Sequence, residues 1–283
     1  MQKQLRQIIP SRATSDGAGV RIKRSLGQTQ QARFDPFLML DEFGSESASD
    51  YIAGFPSHPH RGFETVTYML QGHMLHEDHM GNKGHLKTGD VQWMTAGRGI
   101  IHSEMPQQEH GLMRGFQLWL NLPAAEKMKP AHYRDIPADD IPIAELANGG
   151  CIKVIANMAV INGKPVSGPI QGLTTQVIYW DVHLPLAAKF GHAIPETHNT
   201  FIYVYEGSVA IGEDARELTA GNAGLLGPGD EISVASRSED TRFILLAGIP
   251  LKEPIAQYGP FVMNTPEEIE QAIQDYRSGI LTN

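Results

Sequence analysis

Two short pairs of residues carry the chemistry of this chain. His58-Pro59-His60 sets two imidazoles at i and i+2, and His102-Ser103-Glu104 sets an imidazole and a carboxylate at the same spacing. In an extended strand alternate residues share a face. Each pair therefore offers two ligand atoms to one side of a sheet, and two pairs on neighbouring strands can converge on one cation. Imidazole supplies borderline nitrogen and carboxylate supplies hard oxygen, a set suited to Fe, Mn, Co, Ni, Cu or Zn. A site that keeps one or two coordination positions open is catalytic rather than structural. An isolated HxH is a weak signal and equally describes a surface turn; the second pair and the strand-like sequence between them give it weight. Eight of the twelve histidines lie between His58 and His110. If the strand that begins at His58 runs on regularly, Glu64, Val66, Tyr68 and Leu70 share its face, with Gly62 as the point where the alternation can break.

The elements that must position these pairs read as strands. ETVTYMLQG (64–72), VQWMTAG (91–97) and FQLWLNL (116–122) are short runs rich in Thr, Val, Tyr, Trp and Leu, closed by glycine or turn residues. That pattern predicts a sandwich or barrel rather than alternating βα units. RDIPADDIP, within the Ala-, Pro- and acid-rich stretch 123–150, reads as a connector. A second strand-rich block follows in TTQVIYWDVHL, TFIYVYEGSVAIG, EISVAS and RFILLAG. The two blocks are alike: runs ending at Gly72 and Gly207 are each followed by a glycine pair eight residues apart, Gly89/Gly97 and Gly221/Gly229. Two related β domains in tandem are expected. Near the end, Thr265-Pro266-Glu267-Glu268 predicts a helix start with a Thr cap, a first-turn proline and a capping-box Glu. Ile269, Ile273 and Tyr276 follow at helical spacing, and Gly279 sits where the helix stops.

Composition narrows the function. The net charge of −9 argues against a nucleic-acid binder, which needs clustered Lys and Arg for phosphate contacts. The single cysteine, Cys151, excludes an intrachain disulfide and a cysteine-rich zinc site. Met1–Ile9 lacks the apolar core of a secretory peptide, and no apolar run approaches the roughly 20 residues that span a bilayer. The cytoplasm, with no membrane association, is the expected location.

HPHRGFETVTYMLQG followed by GDVQWMTAGRGIIHSEMP closely resembles the pirin family of the cupin superfamily. The resemblance extends to FDPFLMLDEFG (34–44), to FQLWLNLP and to YGPFVMNTPEEI (258–269), and so covers nearly the whole chain. It implies an all-β bicupin: two tandem antiparallel β-barrel or jelly-roll domains with a short C-terminal helix. The expected organisation is a metal-binding cupin domain over 1–135, a linker over 136–150 and a metal-free cupin domain with the helix over 151–283. The resemblance implies one divalent metal, usually Fe(II), held by His58, His60, His102 and Glu104. Glu64 occupies a ligand position of many cupins and is expected in the pocket beside the ligands; Arg61 and Arg98 flank the ligands as candidate orienters of carboxylates. In the second block the counterparts of the four ligands are Ala193, Pro195, Val234 and Ser236, none of which binds metal. His73, His76, His79, His85 and His110 are read as surroundings of the site, Trp93 and Trp119 as core packing first and pocket lining second, and Met69, Met94 and Met105 as barrel filling.

Pirin-like proteins include members with quercetin 2,3-dioxygenase activity, which open a flavonol ring with O2 and release carbon monoxide. The implied partners are thus a flat, flavonol-like aromatic substrate and O2, with Glu104 as the group that takes the substrate proton. The alternative the family implies is an iron-dependent regulator that binds a protein partner without physiological turnover. Non-redox chemistry with Zn or Mn is a third reading.

Overall fold

The computed structural model describes residues 1–29 and 32–283. β-Branched and aromatic runs punctuated by glycine fold into antiparallel strands throughout, as their alternation requires, and form two compact units.

One unit contains both ligand pairs. Its seven-stranded sheet runs in the order His132–Ile136, Val91–Thr95, Phe63–Gln71, Met113–Asn121, Phe37–Ser45, Val20–Arg24 and Arg12–Asp16. Its four-stranded sheet runs Phe55–His60, Ile100–Pro106, His73–Asp78 and Lys83–Lys87. Val20, Ile22, Phe43, Met69 and Met113 from the larger sheet and Met74 and Leu86 from the smaller one share a buried apolar cluster, so the two sheets close over one interior. Met69 and Met94 are fully buried, as expected of filling residues, while Met105 is half-buried.

The other unit repeats this plan. Leu5–Pro10, Asn222–Leu226, Asn199–Glu206, Asp240–Gly248, Ile178–Pro185, Cys151–Ala156 and Ile143–Glu145 form a seven-stranded sheet, and Lys189–Ala193, Glu231–Ser236, Ser208–Ile211 and Arg216–Thr219 a four-stranded one. Phe63–Gln71 thus corresponds to Asn199–Glu206 and Val91–Thr95 to Asn222–Leu226, the pairing that the repeated glycine spacing predicts. Two cupin domains make the chain an all-β bicupin. In this second interior Val234 packs with Phe190, Ile232 and Trp180 in a continuous apolar core.

The expected domain boundaries differ from those of the structure. Leu5–Pro10 pairs with Asn222–Leu226, which puts the first residues in the unit of the second block. Leu251–Asn283, helix included, belongs to the unit of the first block. The stretch 136–150 is not a free connector: Ile136 ends a sheet strand, Ile141 is buried, and Ile143–Glu145 pairs with Cys151–Ala156. The physical reason is that an edge strand leaves unpaired backbone groups and accepts any strand that reaches it. Proximity in sequence does not decide which barrel a terminal strand completes.

The helix forms as predicted over Pro266–Arg277. Thr265 Oγ1 accepts the Glu268 backbone N–H at 3.3 Å, and Glu268 Oε2 accepts the Thr265 N–H at 3.0 Å. Its buried Ile269 and Ala272 pack with Phe261, Met263 and Leu281. Among the described residues no helix is long and apolar enough to cross a membrane.

Candidate metal centre

The two ligand pairs lie on adjacent antiparallel strands. Phe55–His60 pairs with Ile100–Pro106 so that His102 stands directly opposite His58 and Ile100 opposite His60. The register slips between His102 and Glu104, a bulge that re-aims the side chains beyond it.

His58, His60 and His102 come together: one nitrogen from each lies within 4.8 Å of the others. Ring centroids are 4.7 Å apart for His58 and His60, 4.4 Å for His58 and His102, and 4.9 Å for His60 and His102. His60 and His102 are each 2% exposed. Burial first, then the nearby His58 imidazole, holds His60 well below the ordinary histidine range. Burial, then His60, His58 and His76, does the same to His102. Both rings are therefore neutral near pH 7 and present nitrogen lone pairs. Both nitrogens of His60 and Nε2 of His102 are buried with no hydrogen-bond partner. Buried polar atoms are normally satisfied, so orphaned imidazole nitrogens converging at one point fit a divalent cation. The His58 Nδ1–H donates to the Pro56 carbonyl at 2.8 Å, which leaves its Nε2 lone pair free for an ion.

Glu104 stands beside this cluster rather than within the gathered nitrogens. It is 5% exposed and lines the same cavity as His58 and His60. Thr67 Oγ1 lies 2.9 Å from Glu104 Oε1 and 2.6 Å from Gln117 Oε1, and its single proton serves one of them at a time. The cavity has a volume of about 800 Å³. Leu38, Met39, Phe43 and Trp119 give it an apolar wall, and the indole of Trp119 meets the His60 ring edge-on at 5.4 Å. Trp119 is thus a lining residue, whereas Trp93 lies buried outside it. Arg24 grips Asp41 through two hydrogen bonds of 2.8 and 2.6 Å on another part of the wall. Gln257, Gly259 and Pro260, from the hairpin before the C-terminal helix, complete the lining.

Three expected neighbours of the ligands are placed differently. Glu64 does not line the cavity: its carboxylate accepts Thr95 Oγ1 at 2.6 Å and Trp93 Nε1 at 3.1 Å on the other face of the sheet. Burial raises its pKa, opposed by Thr95, Lys129 and Trp93. The cause is Gly62. Its φ of +90° breaks the strand between His60 and Phe63, and the alternation restarts with odd residues inward, so Thr67 takes the inward face. A Cβ at Gly62 would lie 2.0 Å from the Val262 carbonyl oxygen. Arg61 turns away from the ligands: its guanidinium bonds Asp275 at 2.6 Å, the Leu281 carbonyl at 3.0 Å and the Arg98 carbonyl. The Arg98 side chain is exposed. Neither arginine orients a carboxylate at the site.

Thr67, Gln117, Arg24 and Asp41 were not singled out by the sequence. The signal for Thr67 was its place in the strand that follows the glycine break, five residues beyond Gly62, where it reads simply as a β-former. His76, assigned to the surroundings, is fully buried behind His102, with its Nδ1 3.4 Å from the His102 Nδ1.

The pirin family model matches residues 19–120, and the model of the pirin C-terminal cupin domain matches residues 179–282. A Pseudomonas aeruginosa protein named "putative quercetin 2,3-dioxygenase" is 53% identical over 94% of each chain. Human pirin is 42% identical, over 98% of this chain and 93% of its own. A crystal structure of quercetin 2,3-dioxygenase from Acinetobacter baumannii superposes with a TM-score of 0.89 at 36% identity, covering 99% of both chains.

Proposed function

The chain belongs to the pirin family, and on that premise we propose that it is a metal-dependent dioxygenase that opens flavonols such as quercetin with O2 and releases carbon monoxide. The observation that carries this reading is the gathering of His58 with the buried imidazoles of His60 and His102 beside an 800 Å³ cavity that also holds the Glu104 carboxylate. Similarity to proteins that carry the quercetin 2,3-dioxygenase name supports the substrate class.

His58, His60 and His102, with Glu104 as the fourth ligand, would hold the ion, for which we propose Fe(II). When bound, the ion supplies Lewis acidity at the substrate's 3-oxygen and a place for O2 beside it. The chain's own residues do the rest. The apolar wall of Leu38, Met39, Phe43 and Trp119 takes the flat ring system and excludes water; the volume falls within the usual range of small-molecule sites. Glu104 takes the proton of the 3-hydroxyl, and the Thr67 hydroxyl, shared with Gln117, helps to orient its carboxylate. The flavonolate and O2 then give an ester and carbon monoxide, with both atoms of O2 in the ester and one ring carbon lost as the gas.

The test is aerobic turnover of quercetin by protein loaded in turn with Fe, Mn, Co, Ni, Cu and Zn, with carbon monoxide measured. Turnover abolished by Glu104→Ala is expected. If no metal supports flavonol consumption, the enzymatic reading falls and regulation through a protein partner takes its place.

A further inference from the structure

We propose that His76 is a positioning residue for the metal centre: it accepts the Nδ1 proton of His102 and so fixes the tautomer in which His102 Nε2 carries a lone pair toward the ion. The inference rests on the metal reading given above.

His76 lies on the strand His73–Asp78, hydrogen-bonded alongside Ile100–Pro106, with Glu104 directly opposite it. It is 0% exposed and does not line the cavity, so it meets neither solvent nor substrate. Its polar contact is with His102: the two Nδ1 atoms are 3.4 Å apart and the ring centroids 5.0 Å. The Tyr133 ring covers it at 5.3 Å, inclined at 34°.

A neutral imidazole has one N–H and one lone pair. Two Nδ1 atoms facing each other therefore leave two arrangements. If His102 accepts, its own proton sits on Nε2, an N–H buried without an acceptor and aimed so that the nitrogen cannot ligate. If His102 donates, Nε2 keeps its lone pair, which is what the gathering of His58, His60 and His102 requires. His76 Nε2 is buried and unpartnered in either case, so the choice is decided at His102. His58 is fixed in the same sense by a different acceptor, the Pro56 carbonyl on its Nδ1. His76 does for His102 what a backbone oxygen does for His58. A ligand's second nitrogen held in this way sets both ring orientation and ligand basicity.

The experiment titrates Co(II) into metal-free protein against a chelating competitor and records the visible d–d spectrum. Wild type is expected to take one ion. His76→Phe keeps a ring against Tyr133 but removes the acceptor, and should weaken Co(II) binding about 10- to 100-fold. His76→Asn places an amide oxygen near the former Nδ1 and should recover most of that loss and the wild-type spectrum, a rescue that a packing role would not give. Thermal melts of the metal-free variants check the fold. Should His76→Phe not fold, long-range ¹H–¹⁵N spectra of metal-free wild type decide: a Nδ1–H tautomer at His102 is expected. An Nε2–H tautomer, or His76→Phe affinity within twofold of wild type, overturns the inference while leaving the centre in place. Wild type that takes no Co(II), or His102→Ala that binds it as wild type does, overturns the centre itself.

Discussion

Arg61→Met should release the end of the chain. Arg61 is 4% exposed and makes three hydrogen bonds, to Asp275 in the C-terminal helix, to the Leu281 carbonyl beyond it and to the Arg98 carbonyl. Its backbone N–H donates to Pro260, and its carbonyl accepts from Val262, so the same residue anchors the hairpin that lines the cavity. Methionine keeps the backbone bonds and much of the buried stem, and deletes the charge. Asp275, whose side chain is 15% exposed, then loses its cation. Breaking a largely buried pair on one side costs about 3–5 kcal/mol. That cost falls on local opening of 251–283. At about 1.4 kcal/mol per factor of ten, amide exchange over 256–281 should accelerate roughly 100- to 3,000-fold. Exchange in Asn199–Glu206 and Asp240–Gly248, which belong to the other unit, should not change. Hydrogen–deuterium exchange read by mass spectrometry measures both regions in one sample. Exchange over 256–281 within threefold of wild type would refute the anchoring role.

Thr67→Val removes the hydroxyl that Glu104 and Gln117 share; a hydrogen bond to a carboxylate is worth about 1.5–3 kcal/mol. Steady-state kinetics should show flavonol turnover reduced about 10- to 100-fold, and unchanged turnover would refute the role. Gly62→Ala places a Cβ 2.0 Å from the Val262 oxygen at a φ of +90°; the strain alone costs about 1–3 kcal/mol, and a thermal melt should show the loss. Acid should destabilise the metal-free protein. His60 and His102 titrate below the ordinary 6.5 in the folded chain, so the unfolded chain binds more protons once pH falls below that value, and stability falls with it. Asp275 adds a loss of the same sign at lower pH: burial raises its pKa, but the Arg61 and Gln271 hydrogen bonds outweigh burial and hold it below 3.8. Melts across pH 8 to 3 would show both phases. A divalent metal at 1,000 times its Kd should stabilise the native chain by about 4 kcal/mol, and His60→Ala should abolish the effect.

The period of a strand made the site legible. His58/His60 and His102/Glu104 declare themselves because alternate residues share a face, and the register confirms that the two strands are neighbours. The same rule misplaced Glu64, since one glycine in a left-handed conformation resets the alternation and hands the inward face to Thr67. Arg61 sits next to a ligand in sequence, yet the backbone turn that follows sends it to the C-terminal helix. The repeat of two barrels was readable from the glycine spacing, and the helix from its capping residues. The exchange of chain ends was not, because edge pairing depends on which strand reaches an edge and leaves no local mark. His76 was hidden for a related reason: a histidine in a strand reads alike whether it faces water or the back of another imidazole.

The two barrels, built on one strand order, show what the site costs. Where the four-stranded sheet of the second unit sets Phe190 opposite Val234, that of the first sets His58 opposite His102, and His60 and His102 keep buried nitrogens with no hydrogen-bond partner. Each buried unsatisfied polar atom costs about 1–3 kcal/mol, and the adjoining cavity forgoes packing as well. An apolar filling of the kind present in the second barrel would remove both penalties. Retaining unpartnered nitrogens on His60 and His102, on rings gathered with His58 around the same spot, fits a cation bound by all three rings and serves no purpose in the packing. The cavity beside them then has a reason to stay open, because a cation whose remaining positions were filled by protein would have no use for it.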